Sequence, residues 1–221
     1  MANHRFSPVA PVVLAAFLAI SQTGVHAAVL SVFGNLGTNG TGNLSATSTT
    51  LGTGTNEKLL AQGFQTSGTS SFSLNSIFLG LASTGGGTSS ATVSLFANVG
   101  TAPSGSALWT SSPVSVTTAN RYFFTGPAFT LSSGSSYWVI PSAGVDWYTD
   151  ASFSTPTAQN SSGFGYVGTV QSTDGINWTT FGLQSEAISV QAVAVPEPTT
   201  YAMAAAAAGL LGFAKWRRRQ A

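Results

Sequence analysis

The chain has no cysteine among its 221 residues. No disulfide can stabilise it, and thiolate nucleophiles and thiolate metal sites are excluded. Histidine is nearly as scarce, with only His4 and His26, both close to the N-terminus. Beyond them the sequence cannot supply a Ser-His-Asp or Cys-His mechanism, or a usual zinc site. No catalytic residue and no metal ligand set is therefore expected, and no cofactor. Charge is thin as well, at 6% of residues. Between residues 28 and 195, Lys58 and Arg121 stand against Glu57, Asp146, Asp150, Asp174 and Glu186, a balance of −3. Such a surface has no cationic stripe for phosphates, so nucleic acid is not an expected partner.

What fills residues 28–194 is serine and threonine, about a third of the positions, with abundant glycine. Low charge in such a composition can mean disorder. The apolar residues argue otherwise, because they alternate. Ile77, Leu79 and Leu81 interleave with Phe78 and Gly80, and Val93, Leu95 and Ala97 interleave with Thr92, Ser94 and Phe96. Ile188, Val190 and Ala192 do the same against Ser189 and Gln191. A period of two marks strands with one face toward a core. Strands are expected over 28–34, 59–65, 74–81, 91–97, 107–109, 121–125, 129–131, 137–140, 164–167 and 186–193. Asp174-Gly175 reads as a tight turn joining a strand over 168–171 to one over 176–181. The segment 83–90 reads as a Gly-rich hairpin connection, and 101–105 as a proline turn. No stretch has helical periodicity. The expected fold is all-β, an antiparallel jelly-roll-like sandwich, with a flexible Gly/Thr-rich loop over 35–55.

The two ends have a different character. Arg5 precedes an apolar run from Val9 to Ile20, and Val25-His26-Ala27 is a small-residue cleavage pattern. Residues 1–27 are read as a signal peptide cut after Ala27, with Ala28 as the alternative, because the run is shorter than the ~18 residues of a membrane span. At the other end, residues 195–221 form an ordered triplet. Val195, Pro196, Glu197 and Pro198 lead. An Ala/Leu/Gly-rich stretch over 199–214 follows, and then a basic stop of Lys215, Arg217, Arg218 and Arg219. A helix of about 16 residues spans roughly 24 Å, marginal against a hydrocarbon core of ~30 Å, and the cations favour a cytoplasmic end. The prolines remove backbone donors and hold an extended segment just outside the membrane.

This tail resembles the PEP-CTERM sorting signal of Gram-negative bacteria with exopolysaccharide systems. The same kind of tail is also labelled an ice-binding-protein C-terminal segment, a label for the tail alone. The resemblance implies an exosortase as partner, transient anchoring in the inner membrane through the helix, and removal of the tail near Val195–Pro198. Glu197 would then be the recognised carboxylate, and the protein would pass to the cell surface or the extracellular matrix. A plain C-terminal membrane anchor is the alternative. Within the middle region, Asn56-Glu57-Lys58-Leu59-Leu60-Ala61-Gln62-Gly63-Phe64, the strands around 74–81 and 91–97, and Tyr137-Trp138-Val139 resemble the choice-of-anchor R domain. These are exported bacterial domains carried on interchangeable surface anchors, and the resemblance brings no catalytic residues.

Binding chemistry has few candidates. Trp147 and Tyr148, flanked by Asp146 and Asp150, form the pairing most suited to a sugar, since adjacent strand residues face opposite ways and one of them can point outward. Trp109 and Trp178 are further stacking candidates, while Tyr137, Trp138, Phe164, Phe78 and Trp178 suit the core. Asp146 and Asp150 on one strand would sit roughly 13 Å apart. Glycosidase carboxyls need about 5–9.5 Å, which leaves pairing with Asp174 or Glu186 across strands open. No Asp-rich loop has calcium spacing. Thr47/Thr49 and Thr53/Thr55 do not repeat at a fixed period, so an ordered threonine array is not expected. Sequons at Asn39, Asn43, Asn160 and Asn177 arise readily in Ser/Thr-rich sequence. The leading expectation is a non-enzymatic surface or matrix protein with a structural, adhesive or flocculating role. The alternatives are a carbohydrate-binding module for exopolysaccharide and a carboxylate-dependent glycan hydrolase.

Overall fold

The computed structural model describes residues 29–36, 44–52, 58–150, 157–158, 163–182, 186–195, 207–209 and 216. The signal segment with Ala27, Pro196–Pro198, the basic stop and most of 199–214 lie outside the described residues. Among the described tail residues, 207–209 and Trp216 are helical, and no described helix is long and apolar enough to cross a membrane.

The chain folds into antiparallel sheets, as the alternation requires. The first strands are β1 (Leu30–Gly34), β2 (Leu44–Thr50), β3 (Leu59–Thr66), β4 (Phe72–Ser83), β5 (Ser89–Ala91) and β6 (Val93–Val99). The middle of the chain forms β7 (Ala102–Thr110), β8 (Val114–Val116), β9 (Asn120–Phe124), β10 (Phe129–Leu131), β11 (Ser136–Pro141) and β12 (Val145–Asp150). The last are β13 (Thr157–Ala158), β14 (Phe164–Ser172), β15 (Thr179–Thr180) and β16 (Ile188–Ala194). The larger sheet runs β13-β1-β16-β4-β12-β2, with β9 and β10 on the other edge of β4, and it curls as a half-barrel. The smaller sheet runs β15-β14-β3-β11-β6-β7, and β5 pairs with β8 apart from both.

The core draws on both sheets. Phe64 of β3 is fully buried, and its ring centroid lies 5.5 Å from Phe33, 5.6 Å from Tyr137 and 5.9 Å from Phe164. Ile77, Leu79, Leu81, Ile188 and Val190 are fully buried against this cluster. Burying one such side chain stabilises by about 1.5–3 kcal/mol, so a domain without disulfides can be held by these two faces. A second, smaller cluster gathers Ala61, Trp138 and Val170 with Trp178 packed on it. Gly63 is required there, because a Cβ at that position would lie 2.9 Å from the Trp138 ring.

Several expectations are corrected. The loop over 35–55 contains strand β2, whose run of threonines suits a pleated surface despite its polarity. Residues 37–43 and 53–57 of that loop lie outside the described residues. The proline turn over 101–105 is instead the start of β7, where Pro103 opposite Asn98 is tolerated because β7 is an edge strand. The 83–90 segment is not a hairpin, since β5 pairs with β8 rather than with β4. Residues 164–172 form one strand bent by a bulge between Tyr166 and Gly168. The Asp174-Gly175 connection joins β14 to a strand of only Thr179–Thr180. Phe78 is half-buried on the outer side of the larger sheet rather than in the core.

Candidate functional site

The expected sugar pair divides between the two faces of β12, as adjacent strand residues must. Trp147 faces inward and is 0% exposed, and its indole Nε1–H donates to the Ala187 carbonyl at 3.1 Å. A ring with no exposed face cannot stack on a sugar, so Trp147 is corrected from a binding residue to a core residue. Trp109 is buried as well, with its Nε1–H donating to the Pro127 carbonyl at 2.9 Å. Tyr148 is half-buried on the other face of β12, where Asp146 also lies. Asp146 accepts a hydrogen bond from the Thr50 hydroxyl at 2.7 Å across the β12–β2 pair.

Among the described side chains, Asp146, Asp174 and Glu186 each have separate hydrogen-bond partners. Thr149 makes an isolated backbone bridge to Glu186, just ahead of β16, and Asp150 pairs with Leu44 through the backbone. Asp174 closes its own loop. Its Oδ1 accepts the Asn177 N–H at 2.7 Å, the Ile176 N–H at 2.8 Å and the Ser172 hydroxyl at 2.8 Å. The Asn177 backbone N–H, followed by that of Ile176, holds its carboxyl well below the usual carboxylate range. Among the described residues no group of three metal-ligating side chains comes together.

The unexpected group is Glu186. It lies where β16 gives way to β12 along one edge of β4. Ala187 marks that junction, accepting from the Gly80 N–H at 3.1 Å and donating to the Tyr148 carbonyl at 2.7 Å. Glu186 itself is 0% exposed. Its backbone is held by side chains that imitate strand pairing. The Glu186 N–H donates to Gln62 Oε1 at 2.8 Å, and its carbonyl accepts from Asn35 Nδ2 at 3.1 Å and Gln62 Nε2 at 3.4 Å. Gln62 reaches across from the smaller sheet, so the amide ties the two sheets together at this point. The carboxyl is less well served. Oε1 accepts from the Thr49 hydroxyl at 3.5 Å, and Oε2 has no partner among the described residues. Burial pushes the Glu186 carboxyl up to about 8, and the long Thr49 bond offsets this only in part. The group is a mostly neutral acid at pH 7. Sequence gave no sign of this, because a single glutamate at a strand end normally meets solvent.

The described part of the sorting tail begins at the domain itself. β16 ends at Ala194, and the Val195 N–H donates to the Ser71 carbonyl at 2.9 Å. The last strand of the sheet therefore runs directly into Pro196. Comparison with known families finds the PEP-CTERM protein-sorting motif over residues 194–219. The chain thus carries this motif at its C-terminus, and the motif implies an exported protein that an exosortase processes and that is sorted to the cell surface. No curated protein and no solved structure matches the chain.

Proposed function

We propose that the protein is a non-enzymatic exported domain, a jelly-roll-like sandwich over residues 28–194 that serves a structural or adhesive role at the cell surface or in the extracellular matrix. The PEP-CTERM motif over 194–219 carries this reading. The domain's own chemistry is consistent with it. The carboxylates Asp146, Asp174 and Glu186 sit in three separate surroundings, one bonded to Thr50, one closing a turn and one buried. A glycan hydrolase needs two of them a fixed short distance apart around one bond.

The junction at Val195 bears on where processing would occur. Ala192, Val193 and Ala194 pair with Leu74, Ser73 and Phe72 of β4. A cut before Ala194 would remove pairs from a strand that has neighbours on both sides, which supports a mature end at or beyond Val195. Mass-spectrometric mapping of the native C-terminus in membrane and matrix fractions tests this. The expected product is a matrix form ending within Val195–Pro198, and replacement of Pro196-Glu197-Pro198 by alanines should hold the full-length chain in the membrane. Normal release of that variant would refute sorting by this motif.

A further inference from the structure

The outer face of the larger sheet carries a group that the sorting reading leaves unused. In the β4–β9 pair, Phe78 lies opposite Phe123 and Gly80 lies opposite Arg121. Ile77 and Leu79 point to the core, so Phe78, Phe123 and Arg121 share the opposite face. The two phenylalanine rings are 4.9 Å apart, and Phe123 is 46% exposed. Arg121 is two residues from Phe123, roughly 6.6 Å along the strand. It also lines an open depression of about 370 Å³ with Leu44, Ala119 and Asn120. Gly80 makes room for this arrangement, because a Cβ there would collide with the Leu44 side chain.

Arg121 carries an unmet donor among the described residues. Its Nε is buried and has no hydrogen-bond partner among the described residues. A desolvated N–H left unmet is costly, and it marks Arg121 as a side chain that the described fold does not fully satisfy. Arg121 is also the only arginine between residues 28 and 194. Arginine's planar fork matches a carboxylate with two parallel hydrogen bonds. An exposed aromatic ring beside it presents an apolar face to the C–H side of a pyranose.

The geometry points to a binding site for an acidic polysaccharide, with a uronate carboxylate on Arg121 and its sugar ring against Phe123. This gives the surface or matrix role a ligand class, and so rests on that role. The local charge and planar fork of Arg121 favour a carboxylate-bearing glycan over a neutral one at this point, although the domain's overall balance is acidic.

The test is binding of the full chain in detergent micelles to polygalacturonate, with dextran as the neutral control. Polygalacturonate should bind, more weakly as salt rises, and dextran should not. Arg121→Gln and Phe123→Ala should each weaken binding about tenfold or more, the loss expected for one charge-assisted contact or one stacked ring. Arg121→Lys should fall between Arg121→Gln and the native protein, because it keeps the charge and loses the fork. Circular dichroism and the unfolding midpoint of each variant establish that it is folded. Absence of polygalacturonate binding, or equal binding by folded Arg121→Gln, would overturn the proposal. Sorting is read separately from the mature C-terminal mass, so failure here leaves that result intact and failure there leaves this one intact.

Discussion

Replacing Glu186 by glutamine isolates the cost of a buried carboxyl. The substitution keeps the side chain's shape and leaves the backbone bonds to Gln62 and Asn35 in place, but removes the ionisation. The sign follows from the direction of the shift. A carboxyl raised from 4.5 to about 8 binds its proton more tightly in the folded state than in the unfolded one. Its contribution is therefore full below the unfolded value and is lost as pH rises toward the folded value. One extra proton held by the folded state gives a slope of about 1.36 kcal/mol per pH unit. Between about pH 5 and pH 8 the native protein should lose roughly 3–4 kcal/mol that the glutamine variant does not lose. Other groups titrate alike in both proteins and cancel in the difference. Urea unfolding of the full chain in micelles at several pH values measures this. With a slope of about 2 kcal/mol per molar urea, the gap between the two midpoints should widen by roughly 1.5–2 M toward alkaline pH, with the variant the more stable. Parallel midpoint curves across that range would refute the reasoning and place the carboxyl in contact with solvent or a cation.

The correction at Trp147 has its own consequence. Trp147→Ala should cost about 3–5 kcal/mol in denaturant unfolding, because it empties a site fully closed to solvent, whereas Trp147→Phe should cost less. Unchanged stability with loss of glycan binding would restore the surface role expected from sequence. Asp174→Asn should lower the thermal midpoint at about pH 6, since the neutral amide is a weaker acceptor for the Ile176 and Asn177 N–H groups. Asp174's folded value is depressed, so its contribution is present above the unfolded value and fades as pH falls. The gap between the two proteins should therefore narrow toward about pH 2, and a gap independent of pH would show that the carboxylate charge plays no part.

The strands with strict alternation were legible. Leu79 and Leu81, Val93 and Leu95, and Ile188 and Val190 all sit buried where period two placed them. β2 was not legible, because after Leu44 its residues are Ser, Thr and Ala, whose polarity reads as loop although the threonines still suit a sheet edge. Trp147 misled for a related reason. Alternation says that one member of the Trp147-Tyr148 pair faces out, but choosing between them needs the position of the core, which depends on pairing with Leu81 far along the chain. Glu186 and Arg121 were invisible for the same cause. Each is ordinary in sequence and becomes distinctive only when long-range pairs bring Gln62 and Asn35 to one, and Gly80 and Phe78 into register with the other's strand.

The topology also connects the fold to the tail. β16 is the last strand in sequence, yet it lies between β1 and β4 in the larger sheet. β1 reaches β4 only through it, by pairs such as Phe33 with Val190 and Val190 with Ile77. Gly34 packs so tightly on the Ile188 backbone that a Cβ would overlap its carbonyl oxygen. The sheet thus cannot close until residues 188–194 are available, and residue 195 already begins the sorting segment. For an exported chain emerging N-terminus first, closure of the sheet and arrival of the motif at the membrane become nearly the same event. A motif set directly after a central strand is thereby presented together with a completed domain.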